Sequence, residues 1–158
     1  MRLTLRSTST RTFVVLPLVV LTEQLVTRRP LRPAWLPLAA AGYGLYRLAG
    51  AYRLPRAGGP PGMSQGMPDR LVTSGPYALA RNPMYLGHLL FVGGLTLSTR
   101  SPLSLAAAVW LGPWFGKRAR TDELRLLDRF GTDYLDYCQR VPRWLPGSTP
   151  RPPEMLTL

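Results

Sequence analysis

Four stretches nearly free of charge constrain this chain more than anything else in it. They run from about Thr12 to Val26, Ala34 to Ala51, Met84 to Ser98 and Pro102 to Phe115. Each is slightly short of the ~20 apolar residues that a straight bilayer crossing needs. Local thinning and snorkelling by flanking arginines still let such helices span. Only Thr99, Arg100 and Ser101 separate the third stretch from the fourth, which predicts a tight antiparallel helical hairpin. Gly87, Gly93, Gly94 and Ala106 to Ala108 supply the small surfaces that let helices approach closely in lipid. The expected fold class is therefore all-α integral membrane, with about four transmembrane helices.

The charges lie between and after these stretches. Net charge is +12, from 20 Lys and Arg against 8 Asp and Glu. Such a balance suits nucleic acid or an anionic membrane surface. The basic residues here flank apolar segments and form no single stripe, which favours the bilayer and argues against nucleic acid as a partner. The N-terminus imitates a signal peptide, with Arg2, Arg6 and Arg11 before an apolar run. It has no small-residue cleavage site, and Glu23, Gln24 and arginines follow, so it reads as a retained first span. With four spans, 16 of the 20 basic residues fall on the side that holds both termini and the central loop. Arg28, Arg29, Arg32 and Arg100 fall on the other. The positive-inside tendency makes this a multi-pass protein with cytoplasmic termini.

The single domain divides along the chain into two N-terminal spans (1–56), a loop with a motif-bearing segment (57–83), the hairpin (84–116), a C-terminal segment (117–146) and a tail (147–158). The central loop from Arg53 to Pro68 carries Gly58-Gly59-Pro60-Pro61-Gly62 and is expected to be irregular. From Lys117 to Arg140, Leu124, Leu127, Phe130, Tyr134 and Tyr137 recur at helical spacing. That pattern predicts an amphipathic surface helix interrupted at Gly131. The tail from Pro142 is expected to be extended. One cysteine, Cys138, rules out an internal disulfide, and one histidine, His88, leaves no metal-ligand cluster. No metal is expected.

Three groups of residues carry possible chemistry. Asn82 and Pro83 make a good helix start, whose unbonded N–H groups attract an anion such as a carboxylate. Read alone, that segment is first a helix start with interfacial Tyr and Arg anchors. Arg118, Asp122 and Glu123 follow the fourth span; carboxylates in an early helical turn are favoured whatever the function. Phe130-Gly131-x-x-Tyr134-x-x-Tyr137 and Val141-Pro142-Arg143-Trp144-Leu145-Pro146 read as a packing face and an interfacial belt. Glu23 lies within an apolar run, where an ionisable group suggests function, though Arg28 or water is within reach. His88 reads as a buried hydrogen-bonding partner.

The order and spacing of these motifs are more specific than any one of them. Thr-Ser-Gly-Pro-Tyr, Arg-Asn-Pro-Met-Tyr-Leu-Gly, a short hairpin, Arg-x-Arg-x-Asp-Glu, Phe-Gly-x-x-Tyr-x-x-Tyr and Val-Pro-Arg-Trp-Leu-Pro occur in register from about Asp69 to Pro146. The series resembles the isoprenylcysteine carboxyl methyltransferase family, which is related to the membrane phospholipid N-methyltransferases. The resemblance implies S-adenosylmethionine as methyl donor, in a cytoplasmic-side cofactor pocket closed by the C-terminal amphipathic segment. It implies a lipophilic or lipid-modified acceptor. Arg70, Leu71, Val72 and Tyr77 match the family's first cofactor-binding stretch, and Asn82, Pro83, Met84 and Tyr85 its second. Asp122 falls on the cofactor-binding acid, with Glu123 beside it, and Arg118 on the basic residue at the substrate. Arg118 and Glu123 are the catalytic candidates. Two departures stand out: Asn82 and Asp69 occupy positions where many members carry histidine. Asn82 keeps hydrogen-bonding capacity, whereas Asp69 exchanges a donor for an acid.

Methyl transfer from a sulfonium chiefly needs alignment of nucleophile, methyl carbon and sulfur. A carboxylate acceptor needs no base; an amine acceptor must first lose a proton, which a nearby carboxylate can take. Phospholipid or amine N-methylation, NADPH-dependent reduction on a related architecture, and a non-enzymatic basic membrane module remain the alternative readings.

Overall fold

The computed structural model describes residues 7–59 and 67–150, and no strand occurs among them. Among the described residues, helix α1 (Thr8–Thr27) is the one helix long and apolar enough by itself to cross a membrane. Pro17 removes one N–H and crowds the carbonyl of the preceding turn. The helix widens to π geometry over Arg11–Val15, just before it. Helix α2 (Leu36–Ala57) follows a single 3-10 turn, Pro33–Trp35. Short helix α3 (Pro76–Leu79) precedes α4 (Pro83–Thr99), α5 (Pro102–Phe130) and α6 (Thr132–Arg140).

Two sequence expectations are corrected. Residues Arg53–Ala57 belong to α2 and not to the central loop. The last turn is held by Arg56, whose Nη1 donates to Tyr52 O at 3.0 Å and whose guanidinium stacks 3.8 Å from the Tyr52 ring. Gly58 and Gly59, at φ +64° and +65°, then stop the helix, because left-handed backbone suits glycine. The rest of that glycine- and proline-rich loop, 60–66, lies outside the described residues. Likewise, the fourth apolar stretch and the amphipathic segment are not two helices. They form one of 29 residues, continuous through Pro113. The predicted break at Gly131 is present, at φ +53°. The chain after Arg140 turns and bends as far as residue 150, and Arg2, Arg6, Pro152 and Pro153 lie outside the description.

The chain forms two compact units, 1–46 with 86–114 and 47–85 with 115–158. In the first unit Gly87 lies against Gly42 and Tyr46, where an added Cβ would stand 2.7 Å from Gly42 O. Small residues thus let α2 and α4 touch backbone to backbone. Phe13 fills the space beside them, with ring centroids 4.6–5.2 Å from His88, Tyr46, Phe91 and Tyr43. His88 is buried among these rings. Glu23 accepts a hydrogen bond from the Ser101 hydroxyl, so its partner is the hairpin turn and not Arg28.

In the second unit Tyr134, Tyr137, Cys138 and Val141 form a buried cluster, packed against Leu71, Leu126, Leu127 and Phe130. Tyr137 Oη donates to Tyr77 O at 2.6 Å, tying α6 to α3. Burial pushes the Cys138 thiol up, which leaves it an unreactive core residue.

Candidate active site

The second unit gathers the residues that the motifs single out. Thr73-Ser74-Gly75-Pro76-Tyr77 is a turn into α3. Gly75 sits at φ +59°, where any Cβ would stand 2.5 Å from the Tyr52 ring. Tyr52 Oη and Ser74 Oγ are hydrogen-bonded at 2.9 Å, which fixes the turn on α2. Asp69 and Arg70 donate their backbone N–H groups to Ala57 O at 2.9 and 2.8 Å. Both side chains are exposed, whereas Leu71 faces the tyrosine cluster and Val72 is half-buried. Tyr77 is buried, and desolvation pushes its phenol up to about 12, against a smaller opposing effect of Arg53.

Glu123 gathers several partners. Its carboxylate accepts Asn82 Nδ2 at 2.9 Å and a bidentate Arg143 guanidinium at 2.8–3.1 Å. Arg81 Nε lies 3.5 Å away. Glu123 and Arg81 side chains are each 1% exposed, so their charges are desolvated, and removing one partner would strand another in the interior. Arg81 N–H also donates to Pro142 O at 2.9 Å. Three segments distant in sequence, 81–83, 123 and 142–143, are thereby closed on one carboxylate. In sequence, the pattern around Arg143 is that of an interfacial belt, and the pattern around Arg81 that of an anchor. The signal available was electrostatic: an Asp-Glu pair on the inner face of a helix requires buried cations nearby.

Asp122, next in the chain, has a different environment. It is buried, yet Tyr85 Oη is its one close partner, at 2.5 Å. Arg118 Nε and Arg125 Nη1 lie at 4.0 and 3.7 Å, ion pairs from partly exposed side chains. An ionised carboxylate can accept about four hydrogen bonds. Asp122 therefore keeps acceptor capacity, whereas Glu123 has most of its own taken. Tyr85 is held by Phe115, ring centroids 5.4 Å apart. Pro83 is buried at the first position of α4, and the N–H groups of Met84 and Tyr85 belong to that helix's first turn.

Of the sequence-predicted site residues, Asn82, Pro83, Met84, Tyr85, Arg118, Asp122 and Glu123 belong to this constellation. Tyr77 and Leu71 lie in the adjoining core, and Arg70 points its charge to solvent. No group of His, Cys, Asp or Glu among the described residues has the arrangement of a metal site.

Comparison with known proteins identifies the family of this helical chain. The sequence model of the phospholipid methyltransferase family matches residues 38–137, and the chain belongs to that family. Protein-S-isoprenylcysteine O-methyltransferase of Mus musculus is 39% identical over 79 residues, 48% of this chain and 27% of the mouse protein. The B form of the Arabidopsis thaliana enzyme is 37% identical over 78 residues, 49% of this chain and 40% of that protein. The Saccharomyces cerevisiae enzyme is 35% identical over 72 residues, 45% and 30% respectively. The matched stretch thus spans well under half the length of these relatives. No solved structure matches the chain.

Proposed function

We propose that this protein is a multi-pass membrane methyltransferase that uses S-adenosylmethionine to methylate a lipophilic acceptor, most simply a carboxylate as in the isoprenylcysteine O-methyltransferases it resembles. The observation that carries the reading is the Asp122–Tyr85 pair. A buried acid with acceptor capacity to spare stands beside the first turn of α4, within the part of the chain that matches the family.

The donor set suits that cofactor. Its methionine portion carries an ammonium and a carboxylate. Asp122 can accept from the ammonium, while the N–H groups of Met84 and Tyr85 can bind a carboxylate. When bound, the cofactor supplies a methyl group on an electron-poor sulfonium. Tyr85 orients Asp122 through its hydroxyl, and Phe115 orients Tyr85. Arg118, a third exposed and paired with Asp122, can hold a carboxylate oxygen of an anionic acceptor in place without removing a proton. Asn82 and Glu123 act in this reading by position: they lock the mouth of α4 to α5 and to Arg143. Glu123 is thus a positioning residue, and the catalytic role expected for it passes to Arg118.

Support for several membrane crossings comes from apolar side chains left on the outside of the first unit. Leu18, Leu21, Leu25 and Val26 on α1, and Leu103, Leu105, Val109 and Trp110 on α5, are all exposed. Scattered exposed apolar residues are ordinary, but rows of this kind on two helices suit lipid. In this topology the termini and the Asp122 site face the cytoplasm.

Membranes holding the protein, incubated with S-adenosylmethionine labelled in the methyl group, test the reading. Label should enter an S-farnesylcysteine with a free carboxylate as a base-labile ester. Label found instead in phosphatidylethanolamine would overturn the carboxylate assignment, and label in no lipophilic product would overturn the enzyme.

A further inference from the structure

The first unit holds a second charged feature that the methyltransferase reading does not use. Arg28, Arg29, Arg32 and Arg100 are all exposed, and backbone contacts draw their two segments together. Arg32 N–H donates to Ser98 O at 2.7 Å, and Arg29 Nη1 donates to Arg100 O at 3.2 Å. Gln24 Nε2 adds a bond to Thr99 O at 3.1 Å. The only nearby acid is Glu23, which takes the Ser101 hydroxyl, and no ion pair among the described residues engages these guanidiniums.

Cations at helix C-termini often serve only to offset the helix dipole. Arg29, bonded to a carbonyl past the end of α4, fits that role; the other three make no such side-chain bond. Two of them also sit where arginine is disfavoured. Arg28 ends α1 at φ +51°, and Arg100 ends α4 at φ +49°. Helix ends of this kind usually take glycine, since left-handed backbone costs other residues about 1–2 kcal/mol. The same strained position is filled by arginine twice, on two helices that end at one place, and the long basic side chain explains the choice where the backbone does not. On the same two segments Gln24 Oε1 and Ser98 Oγ are buried with no hydrogen-bond partner. Next to the arginines, Leu25, Val26, Leu31, Leu36 and Leu103 are exposed.

We infer that these four arginines form a site for the phosphate of an anionic phospholipid, with the neighbouring apolar residues against its acyl chains. The adjoining leucines and Val26 select a lipid over free phosphate, because they give the same ligand an apolar portion to cover. Arginine is suited to the task, since its planar guanidinium binds phosphate through two N–H groups at once. The inference rests on the proposed insertion of the first unit in a bilayer, but not on methyl transfer.

The test uses full-length protein and the variants Arg28→Gln/Arg32→Gln/Arg100→Gln and Arg28→Lys/Arg32→Lys/Arg100→Lys. Resistance of membrane association to carbonate extraction is measured first; a wild-type protein released by carbonate would refute the bilayer reading, and this site with it. Lipid retained by detergent-solubilised protein is then counted by native mass spectrometry after exchange against phosphatidylglycerol or phosphatidylcholine. Each basic residue at an anionic lipid surface contributes about five-fold in affinity. The glutamine variant should therefore lose phosphatidylglycerol by roughly ten-fold or more, and the lysine variant should keep most of it. Equal retention of the two lipids by wild type, or equal phosphatidylglycerol on wild type and the glutamine variant, would overturn the proposal. Displacement of phosphatidylglycerol by inorganic phosphate at matched concentration would overturn its lipid part. A glutamine variant without its helical circular dichroism leaves the comparison to the wild-type lipid preference and the lysine variant, either of which can refute the site.

Discussion

Two arginines and an asparagine converge on the Glu123 carboxylate, while Asp122, one residue before it, meets a single phenol closely and two guanidiniums at 3.7 and 4.0 Å. The two acids share a helix and a charge, but their surroundings differ: Glu123 holds segments together, whereas Asp122 keeps acceptor capacity beside one close hydrogen bond. Replacing Glu123 with alanine leaves Arg81 buried beside no carboxylate, and breaking a buried pair in this way costs about 3–5 kcal/mol. The expected result is a clear loss of thermal stability for Glu123→Ala in detergent, with Asp122→Ala far less affected. Equal destabilisation of both variants would contradict the division of roles. Sequence brought Asp122, Glu123, Asn82 and Tyr85 into view as members of a motif series. It could not assign Arg143 to Glu123, because they lie 20 residues apart with α6 and its glycine break between them, and nothing in local spacing reports how that turn folds back.

The helices were legible wherever apolar stretches and their breakers were clear. The hairpin turn at Arg100 and the break at Gly131 fall where the pattern put them. Two boundaries were not, and for related reasons. Pro55 and Pro113 both lie inside helices. A proline removes one N–H and crowds one carbonyl, which long flanking helix and tertiary packing can outweigh. Composition changes sharply at Lys117, but a change from apolar to charged residues marks a change of solvent and not the end of a helix. Glycine geometry gives a test at this scale. Gly131 has open space where a Cβ would go, so Gly131→Ala isolates the backbone cost, about 1–3 kcal/mol. Gly75→Ala meets the same cost and adds a contact at 2.5 Å with the Tyr52 ring. Gly75→Ala should therefore lower the denaturation midpoint more, and equal midpoints would show that Tyr52 yields freely.

For the whole molecule, the central claim is a methyl donor held in the second unit of a membrane-embedded chain. Membership of the phospholipid methyltransferase family supports it, as do the isoprenylcysteine methyltransferases that match about half of the chain. The acceptor was the least legible part in sequence, since the first two spans carry no motif, although the family match takes in the second of them. Direct calorimetric titration of purified protein with S-adenosylmethionine, alongside NADPH, decides the matter. Wild type should bind S-adenosylmethionine and not NADPH, and Asp122→Ala and Tyr85→Ala should weaken that binding by roughly ten-fold or more, the scale of a charge-assisted hydrogen bond. Binding of NADPH in its place, or unchanged affinity in both variants, would contradict the account.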